Sequence, residues 1–240
     1  MKRSKITILL AIVLGMTFHS CLDLEPQDQL GGKNMWTSVN DYKQFANTFY
    51  SWTRDFSSVV YDGTHSDKRS DLITYQSYNE FSRGINSIPS SDANYTDNYK
   101  HIRRTNLLLQ NAEAYAKPED IKQYIGEAYF FRAYSYFDLL QLYGDVIITK
   151  KPLDITDPEM KVKRNDRSEV VDLIIDDLNH AVENLPAFKE LTTEEEGRIS
   201  KEGAQAFLSR VALYEGTWQK SRNGNQNTQS SANMMDIAAK

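Results

Sequence analysis

The side chains able to do chemistry fall into separate groups. Cys21 is the only cysteine, so it can form no intramolecular disulfide and no cysteine-based metal site. It follows Phe18-His19-Ser20 at the end of the apolar run Ile6 to Phe18, which is preceded by Lys2, Arg3 and Lys5. A positive segment followed by an apolar run too short to span a bilayer reads as a secretion signal. The cysteine at its end forms a loose lipobox. Its thiol would carry a diacylglycerol thioether, and acylation of the new amino terminus would add the further chain that stable anchoring needs. The alternative is an ordinary signal with an incidental cysteine.

A second group lies between residues 55 and 94, where periodicity is lost. Tyr61, Tyr75, Tyr78 and Tyr95 are interleaved with Asp62, Asp67, Asp71, Asn79 and Asn94. Rings beside short polar side chains suit a sugar, since they stack on its C–H face while carboxylates and amides take its hydroxyls. Tyr61, Asp67, Tyr75, Tyr78, Asn79 and Tyr95 are therefore the candidate ligand contacts. The competing reading is that these tyrosines only pin a long loop to the helices.

The remaining acids and histidines favour no catalysis. A glycoside hydrolase needs two carboxylates facing each other across a cleft. Asp176-Asp177 sits on a helix whose other face is core, and Glu194 to Glu196 is a charge run of the kind usually solvated. No spacing among His19, His65, His101 and His180 suits a metal, and no cofactor motif is present. The net charge of −5 argues against a general nucleic-acid binder.

The elements that must position these residues are helical. Asp120 to Gly144 reads as one buried helix, with Ile121, Ile125, Ala128, Arg132, Ser135 and Leu139 at spacings of three and four and rings on the neighbouring faces. Pro118 suits its start and Gly144 its end. The pattern Ala-aromatic-apolar-x-Arg-x-x-x-Tyr at Ala128 to Tyr136 recurs at Ala206 to Tyr214. Such a recurrence suits a tetratricopeptide-like repeat, although two buried helices could share it by chance. Further helices are expected from about Asp41 to Arg54, from about Tyr95 to Ala116, from Asp166 to Pro186 behind an Asp166/Glu169 capping box, and from Ser200 to near Trp218. Arg103 and Arg104 are expected to be solvated or paired with acids of the adjacent helix. Asp145 to Thr149 reads as a short β-like run.

The chain thus divides into a lipoprotein signal peptide at 1–20, a lipidated stalk at 21–40, a helical domain at 41–220, and a polar linker with the start of a truncated helix at 221–240. The fold class is mostly all-α, a tetratricopeptide-like helical repeat domain carrying long irregular binding loops.

Several stretches together resemble the SusD/RagB family of nutrient-binding outer-membrane lipoproteins. They are Cys21-Leu-Asp-Leu-Glu-Pro26, Tyr99-Lys-His-Ile-Arg-Arg-Thr-Asn106, Gly126 to Tyr134, Leu142-Tyr-Gly-Asp-Val146, Asp166 to Val170, and Gly197 to Lys201 with Ala206 to Tyr214. The resemblance implies a surface-exposed protein, lipid-anchored to the outer membrane, that captures an oligosaccharide without chemistry. It also implies a SusC-like TonB-dependent transporter as partner. Family members often carry Trp where this chain has Tyr95, and they are roughly twice as long, so the resemblance covers their N-terminal half. A tetratricopeptide-like adaptor for protein segments and a glycoside hydrolase are the alternative functions.

Overall fold

The computed structural model describes residues 35–54, 80, 83–154, 156–222 and 229–239. Among these it is all-α: α1 (Val39–Asn47), α2 (Ala93–Glu113), α3 (Lys122–Tyr143), α4 (Arg167–Asn184), α5 (Lys201–Arg222) and α6 (Gln229–Ala239). Each of α2 to α5 packs on the next in chain order, and α1 rests across α2 and α3. Contacts between helix ends show that neighbours run antiparallel. Tyr143, the last residue of α3, donates its hydroxyl to Asp92 at the start of α2 (2.6 Å), and Arg167 at the start of α4 reaches Leu140 O near the end of α3.

α3 is the centre of the core, with Ala128, Ala133, Tyr136, Leu139 and Leu140 essentially inaccessible. It begins at Lys122, after a 3₁₀ turn (Pro118–Ile121) that takes up the predicted proline start, and Gly144 ends it with a φ of +71°. Gly126 is needed for a different reason. A β-carbon there would lie 2.9 Å from Leu185 Cγ and 3.1 Å from Asn184 Cβ, so its absence lets the end of α4 close on α3.

Three arginine–carboxylate pairs tie this bundle together. Arg132 holds Asp177 by two hydrogen bonds (2.8 and 2.6 Å), with the pair almost wholly buried between α3 and α4. Burial disfavours the charge on Arg132, but hydrogen bonding and attraction to Asp177 outweigh it, so its pKa rises and the guanidinium stays charged. Arg198 grips Glu127 in the same manner (2.7 and 2.6 Å) and lies over the rings of Tyr50 and Tyr124. Arg167 joins α4 to Glu215 of α5 and lies 3.9 Å from the Trp218 ring centre.

Several expectations are corrected. The first helix ends at Asn47 and continues only as a 3₁₀ turn (Thr48–Trp52). The β-like run makes a single bridge, Val146 to Asn165, because side chains occupy its peptide groups. Ile147 N and O meet the Tyr99 hydroxyl (2.9 and 2.8 Å), Thr149 N meets the Tyr136 hydroxyl (2.7 Å), and Ile148 N meets Asn165 Oδ1 (2.9 Å). Burial raises the pKa of both phenols, so they remain protonated and able to donate. Glu194 and Glu195 lie in a 3₁₀ turn (Thr193–Glu195), and Asp177 lies inside the core. Arg103 contacts Asp154 and Leu153 O in the α3–α4 connection, whereas Arg104 bonds Thr48 Oγ1 rather than an acid. Within 221–240, read as a polar linker followed by the start of a helix, helix begins at Gln229, and α6 lies along α5, with Ser209 Oγ bonded to Ala238 O. The two copies of the Ala-aromatic pattern differ in burial: Ala128 and Arg132 are interior, while Ala206 and Arg210 face outward.

Candidate functional site

The polar face of α2 meets the outer faces of α3 and α5 at one groove. Asn94, Asp97, Asn98 and His101 recur at helical spacing on α2 and, with Trp52, enclose a cavity of about 160 Å³ against α3. A second cavity, of about 410 Å³, lies between α3 and α5. Arg54, Tyr134 and Asp138 line both and make the groove continuous.

Rings form its floor. Phe207 of α5 sits among Phe130, Tyr134 and Phe137 at 5.4 to 5.6 Å between ring centres, and Tyr214 meets Phe137 edge-on at 5.4 Å. Tyr134, Phe207 and Tyr214 remain partly exposed. Polar groups form the wall: Asp138 pairs with Arg54 and accepts from Asn98 Nδ2 at 2.7 Å. Exposed ring faces beside amides, a carboxylate and guanidinium groups suit a polyhydroxylated ligand, with stacking and hydrogen bonding available together. Among the described residues no cluster of histidine, cysteine and acidic side chains could hold a metal ion.

At one end His101 stacks on Trp52, with centroids 4.1 Å apart and planes 14° from parallel. Burial pushes its pKa from the ordinary 6.5 to about 4, with Asp97 pulling the other way. A depressed folded-state value contributes stability that is full above the unfolded pKa and is lost as pH falls through the folded one. Acidification from about pH 6.5 to about pH 4 should therefore weaken the wild type more than His101→Phe. Urea midpoints across that range check it, and equal pH slopes would show that the ring is not desolvated.

Of the candidate ligand contacts, only Tyr95 is described; Tyr61, Asp67, Tyr75, Tyr78 and Asn79 lie outside the described residues, as does the lipidation candidate Cys21. Tyr95 lies on the other flank of α2, against Tyr99 and Tyr143 (4.8 and 5.2 Å between centres). There it borders a more apolar groove of about 490 Å³ with Ile147, Leu153 and Met160. The irregular stretch is nevertheless joined to the first groove at both ends, since Arg54 precedes it and Asn94 closes it. Trp52 was legible only as part of the expected 41–54 helix, Phe207 only as a repeat position, and Tyr134 only within the Gly126 to Tyr134 stretch. The one signal for the groove was the polar helical spacing of Asn94, Asp97, Asn98 and His101, which any solvated helix face also shows.

A family model described as "Starch-binding associating with outer membrane" matches residues 22–213. SusD-like protein P38 of Formosa agariphila is 28% identical over 233 residues, which cover 89% of this chain and 42% of that protein. Its SusD-like protein P2 is 28% identical over 237 residues, with 92% and 45% covered. A SusD-like protein structure from Bacteroides fragilis aligns with a TM-score of 0.61 at 24% identity, over 89% of this chain and 41% of the other. A laminarin-binding SusD-like protein aligns with a TM-score of 0.52 at 31% identity, over 59% and 31%. The chain spans less than half the length of the curated relatives P38 and P2.

Proposed function

Because the chain belongs to the SusD-like family, we propose that it is a cell-surface glycan-binding lipoprotein segment that captures oligosaccharide for a SusC-like TonB-dependent transporter in the outer membrane. The family is carbohydrate-binding and non-catalytic, and its description associates it with the outer membrane. In this reading residues 1–20 are the lipoprotein signal, Cys21 is lipidated at the head of the stalk 21–40, and 41–220 is a tetratricopeptide-like domain. The antiparallel succession from α2 to α5 supports that arrangement.

The observation that carries the proposal is the groove across α2, α3 and α5, where partly exposed rings stand beside hydrogen-bonding side chains. Capture needs no covalent step: rings stack on the pyranose, polar groups take its hydroxyls, and the lipid raises local concentration at the transporter. Tyr61, Asp67, Tyr75, Tyr78 and Asn79 would supply further contacts from the stretch joined to this groove, and Tyr95 would act on the far flank of α2.

Glycan-array screening followed by calorimetry tests the proposal. Tyr134→Ala should weaken binding about fivefold, since a stacked ring contributes about 1 kcal/mol. A bound glycan with unchanged affinity for this variant would place the site elsewhere. An adaptor for protein segments is favoured by one feature, the apolar groove of Ile147, Leu153 and Met160. Capture of peptide but of no glycan would select it.

A further inference from the structure

We infer that the α3–α5 part of the groove selects an acidic oligosaccharide, one bearing carboxylate or sulfate groups, and that Arg210 receives the anion. The inference rests on the carbohydrate-binding reading and adds the ligand's charge to it.

The argument begins with how arginine is used elsewhere in the bundle. Arg132, Arg198 and Arg167 are consumed by Asp177, Glu127 and Glu215. Within the groove, Arg54 is consumed by Asp138, whose other oxygen accepts from Asn98. Arg210 differs from all of these. It lines the cavity between α3 and α5, is exposed, and among the described residues has no ion-pair or hydrogen-bond partner. Among the described lining residues Asp138 is matched by Arg54, which leaves the positive charge of Arg210, although the chain as a whole has a net charge of −5.

Its position gives that charge a use. Phe207, Arg210 and Tyr214 fall three and four residues apart, so the guanidinium emerges on the same face of α5 as the two rings. Tyr134 faces them from α3, with its ring centre 5.6 Å from that of Phe207. A pyranose stacked on this floor would set an equatorial substituent beside the guanidinium. A carboxylate or sulfate there meets the planar donor fork that arginine offers to such groups, whereas a hydroxyl leaves the charge unanswered.

The test is calorimetry of the full chain with three hexasaccharides: neutral laminarihexaose, the carboxylated hexagalacturonate, and a sulfated carrageenan hexasaccharide. One of the acidic probes should bind at least tenfold more tightly than the neutral one and weaken on raising salt. Arg210→Gln should remove about tenfold or more of that affinity and leave the neutral probe unaffected. The acidic probe that wins separates carboxylate from sulfate recognition. The position is exposed, so the variant should retain the wild-type circular dichroism. Preference for laminarihexaose, or an acidic probe indifferent to Arg210→Gln, overturns the inference and leaves the carbohydrate reading intact. Binding of no glycan, on the wider array as well as here, overturns both.

Discussion

Asp177→Ala should lower the stability of the fold by about 3–5 kcal/mol, the usual consequence of leaving a buried charge without its partner. Arg132 and Asp177 are 5% and 1% exposed, so water cannot replace the lost carboxylate. The damage would spread beyond the pair. Arg132 Nη1 donates to Asn106 Oδ1 at 2.7 Å, and Asn106 donates to Thr149 O at 2.9 Å, so the same guanidinium orients the contact that holds the α3–α4 connection. The double variant Arg132→Met/Asp177→Leu should recover much of the loss, because it removes both charges and refills their volume. Urea denaturation of the two single variants and the double variant measures this. A double variant as unstable as the sum of the singles would mean that the cost lies in packing rather than in an orphaned charge.

Gly126→Val should lower stability by about 1–3 kcal/mol through overpacking. Its β-carbon would approach Leu185 Cγ to 2.9 Å, where real β-carbons do not go, and branching adds a methyl to the clash. Replacing a mid-helix glycine normally gains up to about 1 kcal/mol, so any net loss here reports the steric conflict alone. Leu185→Ala supplies the control. In the wild type it should destabilise by opening a cavity, but in Gly126→Val it should be nearly neutral or beneficial. Thermal melts of the four proteins check the coupling, and additive effects would show that the two side chains do not compete for space.

These predictions turn on features of uneven legibility. α3 and α4 could be read because their signals are local: apolar spacing, Gly144 after the last turn, and Asp166 three residues before Glu169, whose carboxylate accepts from the Asp166 amide at 3.0 Å. The ion pairs could not, since Arg198 and Glu127 are distant in sequence and a charge run gives no hint that its arginine turns inward. Asp177 showed the same difficulty, being indistinguishable from Asp176 without knowledge of what α3 brings opposite. The expected β-like run failed because its apolar residues carry a strand pattern while side-chain hydroxyls and an amide, supplied from α2, α3 and Asn165, take its hydrogen bonds. The groove was hidden for a related reason. Trp52, Tyr134 and Phe207 each satisfy a core pattern, and only the convergence of three helices leaves them partly open.

The tyrosines beneath residues 147–149 have a consequence for how this surface could change over evolutionary time. Tyr99 and Tyr136 grip the stretch by its peptide groups and are indifferent to the side chains it carries. Substitutions at Ile147 and Thr149 can therefore retune the outer lining of the neighbouring groove without altering the path of the chain. Proline is the residue barred from both positions, since each must present an amide hydrogen to a phenol. The connection is a fixed frame with exchangeable contents, a place where a binding surface can be rewritten while the helices beneath it stay as they are.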